Sequence, residues 1–159
     1  KGKSLVSIGA YCLMPNHFHL LLKEKKEKGI SLFIQKFSTA YTMYFNKKYH
    51  RNGVLFQGKY KAKHCDNDNY LKYLFSYIHL NPIKLIDKNW QEVGIKNLTQ
   101  AKKYLDHYVF SSYLDYSGSK KQNQGSTLIL DKKAFPDYFQ SKKEFKDFIN
   151  NWLNYKEEI

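Results

Sequence analysis

Arginine is almost missing from this chain: Arg51 is the only one among 159 residues. The bidentate fork that reads guanine is therefore nearly unavailable, and any base reading falls to lysine, asparagine, glutamine or the main chain. Cysteine is almost as scarce. Cys12 and Cys65 make no CxxC pair and specify no disulfide framework, which reads as two reduced core thiols in a cytoplasmic protein. No apolar run is long enough for a transmembrane helix, so no membrane partner is expected. No charged-then-apolar leader opens the sequence, which argues against secretion. The chain starts at Lys1 rather than Met, so a preceding start segment is expected. Acids are also few, 14 against 27 Lys and Arg, leaving a net charge of +13.

Hydrophobic residues make up 42% of the sequence, enough for a globular domain with an ordinary core at this length. The positive charge fits either a solvated lysine surface or a polyanion partner. Aromatic residues favour the second reading: they are 17% of the chain and include 14 tyrosines. Lysines that neutralise a phosphate backbone, interleaved with rings that stack on bases, are how single-stranded nucleic acid is held.

Residues 4–14 (SLVSIGAYCLM) and 17–23 (HFHLLLK) read as two strands of a hairpin turning at Pro15-Asn16. Residues 24–30 form a charged loop. Ser31 is positioned to cap a helix whose Phe33, Phe37, Ala40, Tyr41 and Tyr44 recur at helical spacing and are expected in the core. Asn52-Gly53 then breaks the chain before a third strand, GVLFQGKYKAKH. Its alternation places Val54, Phe56, Tyr60 and Ala62 on one face and Gln57, Lys59, Lys61 and Lys63 on the other. A second helix, DNDNYLKYLFSYIHLNP, is capped by Asp66, Asn67 or Asp68 and ended by Pro82. Leu71, Leu74, Phe75 and Ile78 form its core stripe, with Tyr70, Tyr73, Tyr77 and Asn81 on the stripe beside it. Further on, residues 98–107 read as a short helix, YVFSSYLDYSGS as irregular chain with aromatic anchors, 117–126 as a polar loop, and 141–155 as a terminal helix.

Two pairs of residues carry chemistry. His17 and His19 are two apart, so on a strand both imidazoles reach one metal ion. With six histidines, a His-x-His arises by chance in roughly one such sequence in five, so the pair alone is weak. Tyr77 and Asn81 are one helical turn apart, which lets a phenol and an amide meet at one site. This too is weak alone in a chain so rich in tyrosine.

The surrounding residues are more specific. YCLMPNHFHLLL, RNGVLFQGKYKA and YLKYLFSYIHLNPIK, in that order and spacing, resemble the REP-associated tyrosine transposases of the insertion-sequence-200-like superfamily of HUH endonucleases. The resemblance runs from about residue 8 to 90. It implies an α+β fold, a ferredoxin-like α/β sandwich with an antiparallel sheet. It implies that His17, His19 and Asn81 bind Mg²⁺ or Mn²⁺ and that Tyr77 is the nucleophile. The activity implied is metal-dependent cutting and rejoining of single-stranded or hairpin DNA through a 5′-phosphotyrosine. These roles are chemically coherent. A phenol near its free pKa of about 10 needs activation, and a neutral, incomplete ligand set leaves room on a metal for phosphate oxygens. Zinc also suits imidazole, so the metal stays open.

Lys47, Lys48, Arg51, Lys59, Lys61 and Lys63 are the expected DNA contacts. Residues 1–116 are read as the catalytic domain and 117–159 as a C-terminal extension, with a second copy of the chain left open as a partner. Family members begin with a further strand and helix that have no counterpart here, so the sheet beside the histidine strand is expected to be completed either by an upstream strand or by a strand from another chain. Two other functions stay open: a protein that binds DNA hairpins without catalysis, and a metal-dependent hydrolase working through His17 and His19 alone.

Overall fold

A computed structural model of the chain describes residues 4–118 and 126–154. The architecture is α+β. Strand β1 (Val6–Leu13) and strand β2 (Phe18–Glu24) pair as a two-stranded antiparallel hairpin, closed by the Met14 N–H donating to the His17 carbonyl at 2.8 Å. Helices follow: α1 (Gly29–Lys48), α2 (Asp68–Leu80), α3 (Trp90–Val93), α4 (Leu98–Leu105), α5 (Tyr113–Ser117), α6 (Ser126–Ile129) and α7 (Lys142–Asn154). Two units divide the chain: residues 1–7 with 22–65, and 8–21 with 66–159.

The first unit is dominated by α1. The helix begins at Gly29, two residues before the expected Ser31 cap, after a left-handed Lys28 (φ 58°). Gly29 is needed there, because a Cβ would collide with the Leu5 carbonyl. The aromatic stripe of α1 is less buried than its spacing predicts. Only Gly29 and Ile34 are buried, while Tyr41 and Tyr44 are 42% and 57% exposed. Its rings pack mainly along the helix, Phe33 on Phe37 and Phe37 on Tyr41, with centroids 6.0 and 6.3 Å apart.

The third strand expected over 53–64 does not form; that segment is irregular. Gly53 and Gly58 have φ of 89° and 72°, which interrupts an extended ladder. Val54, expected on an inward face, is 83% exposed. Side chains tie the segment to α1 instead: Asn46 Nδ2 donates to the Gly53 carbonyl (2.7 Å), and the Ser31 and Tyr60 hydroxyls meet at 2.9 Å.

The second unit holds the better core. Asn67 caps α2, its side-chain oxygen accepting the Tyr70 N–H at 2.8 Å. Phe75 and Ile78 are buried as the stripe predicts, and they meet Ala10, Cys12 and Leu21 of the hairpin. Pro82 converts the end of α2 into a 3₁₀ turn, Asn81–Leu85. Leu80 and Ile83 there join Trp90, Leu105, Leu114, Phe145 and Ile149 in a second cluster. The segment around Ser111 is more ordered than expected, since α5 forms within it and Ser111 bridges to Cys12. Helix α7 starts at a capping pair, with Ser141 Oγ accepting the Glu144 N–H and the Glu144 carboxylate accepting the Gln140 N–H. Most of the polar loop expected over 117–126 lies outside the described residues. Strand β2 pairs with β1, and among the described residues no strand lies on its other edge.

Candidate active site

Four sequence-selected residues, His17, His19, Tyr77 and Asn81, fall in the second unit. His17 sits in the hairpin turn just before β2 rather than on the strand, and His19 is the second residue of β2. The two rings are nevertheless adjacent, centroids 4.9 Å apart and nearly perpendicular. The exposed His17 is oriented by its neighbour: its Nδ1 lies 2.7 Å from Asn16 Oδ1. An amide oxygen only accepts, so Nδ1 is the donor in this bond.

His19 is half-buried against α2, with its ring 5.4 Å from that of Tyr77. Burial, reinforced by His17 and Lys84, holds its pKa down at about 4. The imidazole is therefore neutral at pH 7 and able to ligate. Its Nε2 is buried without a hydrogen-bond partner among the described residues. One turn after Tyr77, the Asn81 side chain is bent back so that Nδ2 donates to the Tyr77 carbonyl at 2.7 Å. That bond fixes the amide and leaves Oδ1 buried without a partner among the described residues.

A buried acceptor without a donor is costly unless something outside the chain satisfies it. His19, whose ring lies against that of Tyr77, and Asn81, bonded to the Tyr77 carbonyl, each hold such an atom when the imidazole proton is on Nδ1, and imidazole nitrogen and amide oxygen are both competent cation ligands. Among the described residues no three His, Cys, Asp or Glu gather as a metal cluster, so a three-residue ligand set here needs Asn81.

Two features were not singled out from the sequence. Lys84, three residues beyond Asn81, places its ammonium 5.4 Å from the Tyr77 ring centroid. Its only sequence signal was its place in the YIHLNPIK motif. Fully buried His79 braces α2: Nδ1 donates to the Phe75 carbonyl and Nε2 accepts from Ser112 Oγ, both at 2.8 Å. Ser112 Oγ in turn accepts the Tyr11 N–H of β1 at 2.9 Å. Burial lowers the His79 pKa to about 3, so the ring stays neutral in this network.

Lys47, Lys48, Arg51, Lys59, Lys61 and Lys63 are all exposed and all belong to the first unit. Lys48 lies between two tyrosines, 5.7 Å from the Tyr44 ring and 5.4 Å from that of Tyr49, and Arg51 lies 5.5 Å from the Phe45 ring. No helix among the described residues is long and apolar enough to cross a membrane.

A family model described as Transposase IS200 like matches residues 2–81. Neither a curated protein nor a solved structure matches the chain. The family match spans half of the sequence and includes His17, His19, Tyr77 and Asn81, and on that basis the chain belongs to the IS200-like transposases, a family of DNA-processing proteins.

Proposed function

We propose that this chain cuts and rejoins single-stranded or hairpin DNA through a covalent bond to Tyr77, at a site where His17, His19 and Asn81 hold Mg²⁺ or Mn²⁺. The observation that carries the reading is the Tyr77 ring set against His19, with orphaned acceptors on His19 and Asn81 beside it. A divalent cation bound there would supply a Lewis acid to polarise the scissile phosphate.

The chain's own groups do the rest. The Tyr77 hydroxyl oxygen attacks phosphorus as its proton passes to solvent. An oxygen–phosphorus bond forms to Tyr77, the bond from phosphorus to the 3′ oxygen breaks, and that oxygen leaves as a 3′-hydroxyl after taking up a proton. The Asn81-to-Tyr77 hydrogen bond restrains both residues on one helical turn. Lys84, over the Tyr77 ring, offsets phosphate charge. Attack by a second 3′-hydroxyl on the phosphotyrosine reverses the bond change and rejoins the strand without an external energy source.

Incubation with a single-stranded hairpin and Mn²⁺, followed by a denaturing gel, tests the reading. The wild type should give a protein–DNA adduct. Tyr77→Phe should give none while still binding DNA, and Tyr73→Phe should leave the adduct largely intact. An undiminished adduct in the Tyr77 variant overturns the assignment. DNA binding by the wild type with no adduct would favour a non-catalytic hairpin-binding protein.

A further inference from the structure

The second unit contains a cleft of about 520 Å³ that none of His17, His19, Tyr77 or Asn81 lines. One wall is aromatic, with Phe75, Tyr116 and Tyr138 among its rings, and Lys132, Lys133 and Lys142 also line it. Apart from Phe75, every lining residue lies beyond the stretch that the family model matches. Its size is that of a small-ligand site.

Two of the lysines, Lys132 and Lys142, and the rings of Tyr116 and Tyr138 are held in place by the fold. Lys132 Nζ donates to the Asp115 carbonyl at 2.8 Å and sits 3.9 Å from the Tyr116 ring centroid. The stem of Lys142 crosses Gly118, where a Cβ would collide with it; Gly118 also has a φ of 70°, so glycine is favoured on both counts. The Tyr138 hydroxyl donates to the Asp68 carboxylate, and Lys72 Nζ lies 5.0 Å from the Tyr138 ring centroid. Tyr116 is fixed at its far end, its hydroxyl donating to the Gly9 carbonyl at 2.6 Å. Two acids, Asp115 and Asp137, line the cleft as well, so its formal charge is one positive unit rather than three.

Ammonium groups beside a wall of rings match a ligand with one planar face and one anionic end. Inorganic anions would leave the rings unused, and a neutral aromatic would leave the lysines unused. We propose that this cleft binds a nucleotide unit, its phosphate at Lys132, Lys133 and Lys142 and its base against the aromatic wall. The nucleotide is either free or part of a DNA strand, and in neither case does binding depend on chemistry at Tyr77.

Titration followed by amide chemical shifts of the whole chain tests this. The probes are thymidine 5′-monophosphate, tetrathymidylate, thymidine and inorganic phosphate. Either nucleotide probe should shift signals of residues 132–142 and bind more tightly than thymidine or phosphate. A response to the monophosphate assigns a free nucleotide; a response to tetrathymidylate alone assigns a strand. Lys133→Ala, an exposed change, and Lys142→Gln should each weaken binding by about tenfold, the loss expected for one charge-assisted hydrogen bond. The proposal is overturned if neither nucleotide shifts these signals, if thymidine or phosphate alone binds equally well, or if both variants bind like the wild type. Adduct formation at Tyr77 is read separately on a gel, so failure of either idea leaves the other standing.

Discussion

His19 and Asn81 are two of the residues that bury an unpartnered polar atom, and of those they are the two beside Tyr77. Each buries a polar atom that no group among the described residues satisfies, and His19 is kept neutral by burial. If they ligate a metal, His17→Ala or His19→Ala should abolish Mn²⁺-dependent cleavage, and excess chelator should do the same to the wild type. Cleavage that persists in chelator would point to metal-free chemistry. Lys84 gives a separate expectation. Its ammonium lies over the Tyr77 ring, so Lys84→Gln should slow adduct formation by about tenfold to a hundredfold, the range for removing one charge-stabilising donor of roughly 1.5–3 kcal/mol. Single-turnover rates on the hairpin at saturating protein measure this, and an unchanged rate removes Lys84 from the reaction. The His-x-His spacing was visible in the sequence, but the environment of each ring was not. That His17 would lie in the turn, hydrogen-bonded to Asn16, depends on where the ladder stops, and alternation does not set that within a residue or two.

Helix α2 carries Tyr77, and its orientation against the hairpin is set by His79 and Ser112. The contact links residues 33 apart in sequence and closes on the Tyr11 N–H. Ser112→Ala would strand the buried His79 Nε2 and remove the side-chain acceptor of the Tyr11 N–H, and should lower stability by about 1–3 kcal/mol. The urea midpoint, at unchanged m-value, is the measurement; a shift corresponding to under about half a kcal/mol would show that water replaces the hydroxyl. Among the elements, α2 was the most legible. Its apolar residues recur every three or four positions, Asn67 caps it and Pro82 ends it, so local and tertiary preferences agree. The segment 53–64 shows the opposite case. Its period-two pattern was clean, yet a strand needs a partner as well as a pattern, and the left-handed Gly53 and Gly58 turn the chain along α1 instead.

For the whole molecule the dominant quantity is a charge of +13. Binding of single-stranded DNA should weaken steeply with salt, and single strands or hairpin junctions should be preferred to plain duplex. Exchanging Lys47, Lys48, Lys59, Lys61 and Lys63 for glutamine should reduce the slope of log affinity against log salt by up to about 3.5, at roughly 0.7 for each phosphate no longer neutralised. Fluorescence anisotropy at several salt concentrations measures the slope. An unchanged slope would move the DNA path elsewhere, and equal affinity for perfect duplex at matched salt would remove the single-strand preference. The sequence by itself determined the hairpin, α2 and the terminal helix, because their hydrophobic period, caps and turn residues are local. It also determined the order and spacing of His17, His19, Tyr77 and Asn81. The tertiary structure alone decided that Phe145 and Ile149 complete the core around Leu80 and Ile83. It likewise decided that Lys84 lies over Tyr77, and that lysines and rings distant in sequence enclose a cleft. Those outcomes depend on which faces meet and which polar atoms are left unpaired, and they are settled only when the whole chain has packed.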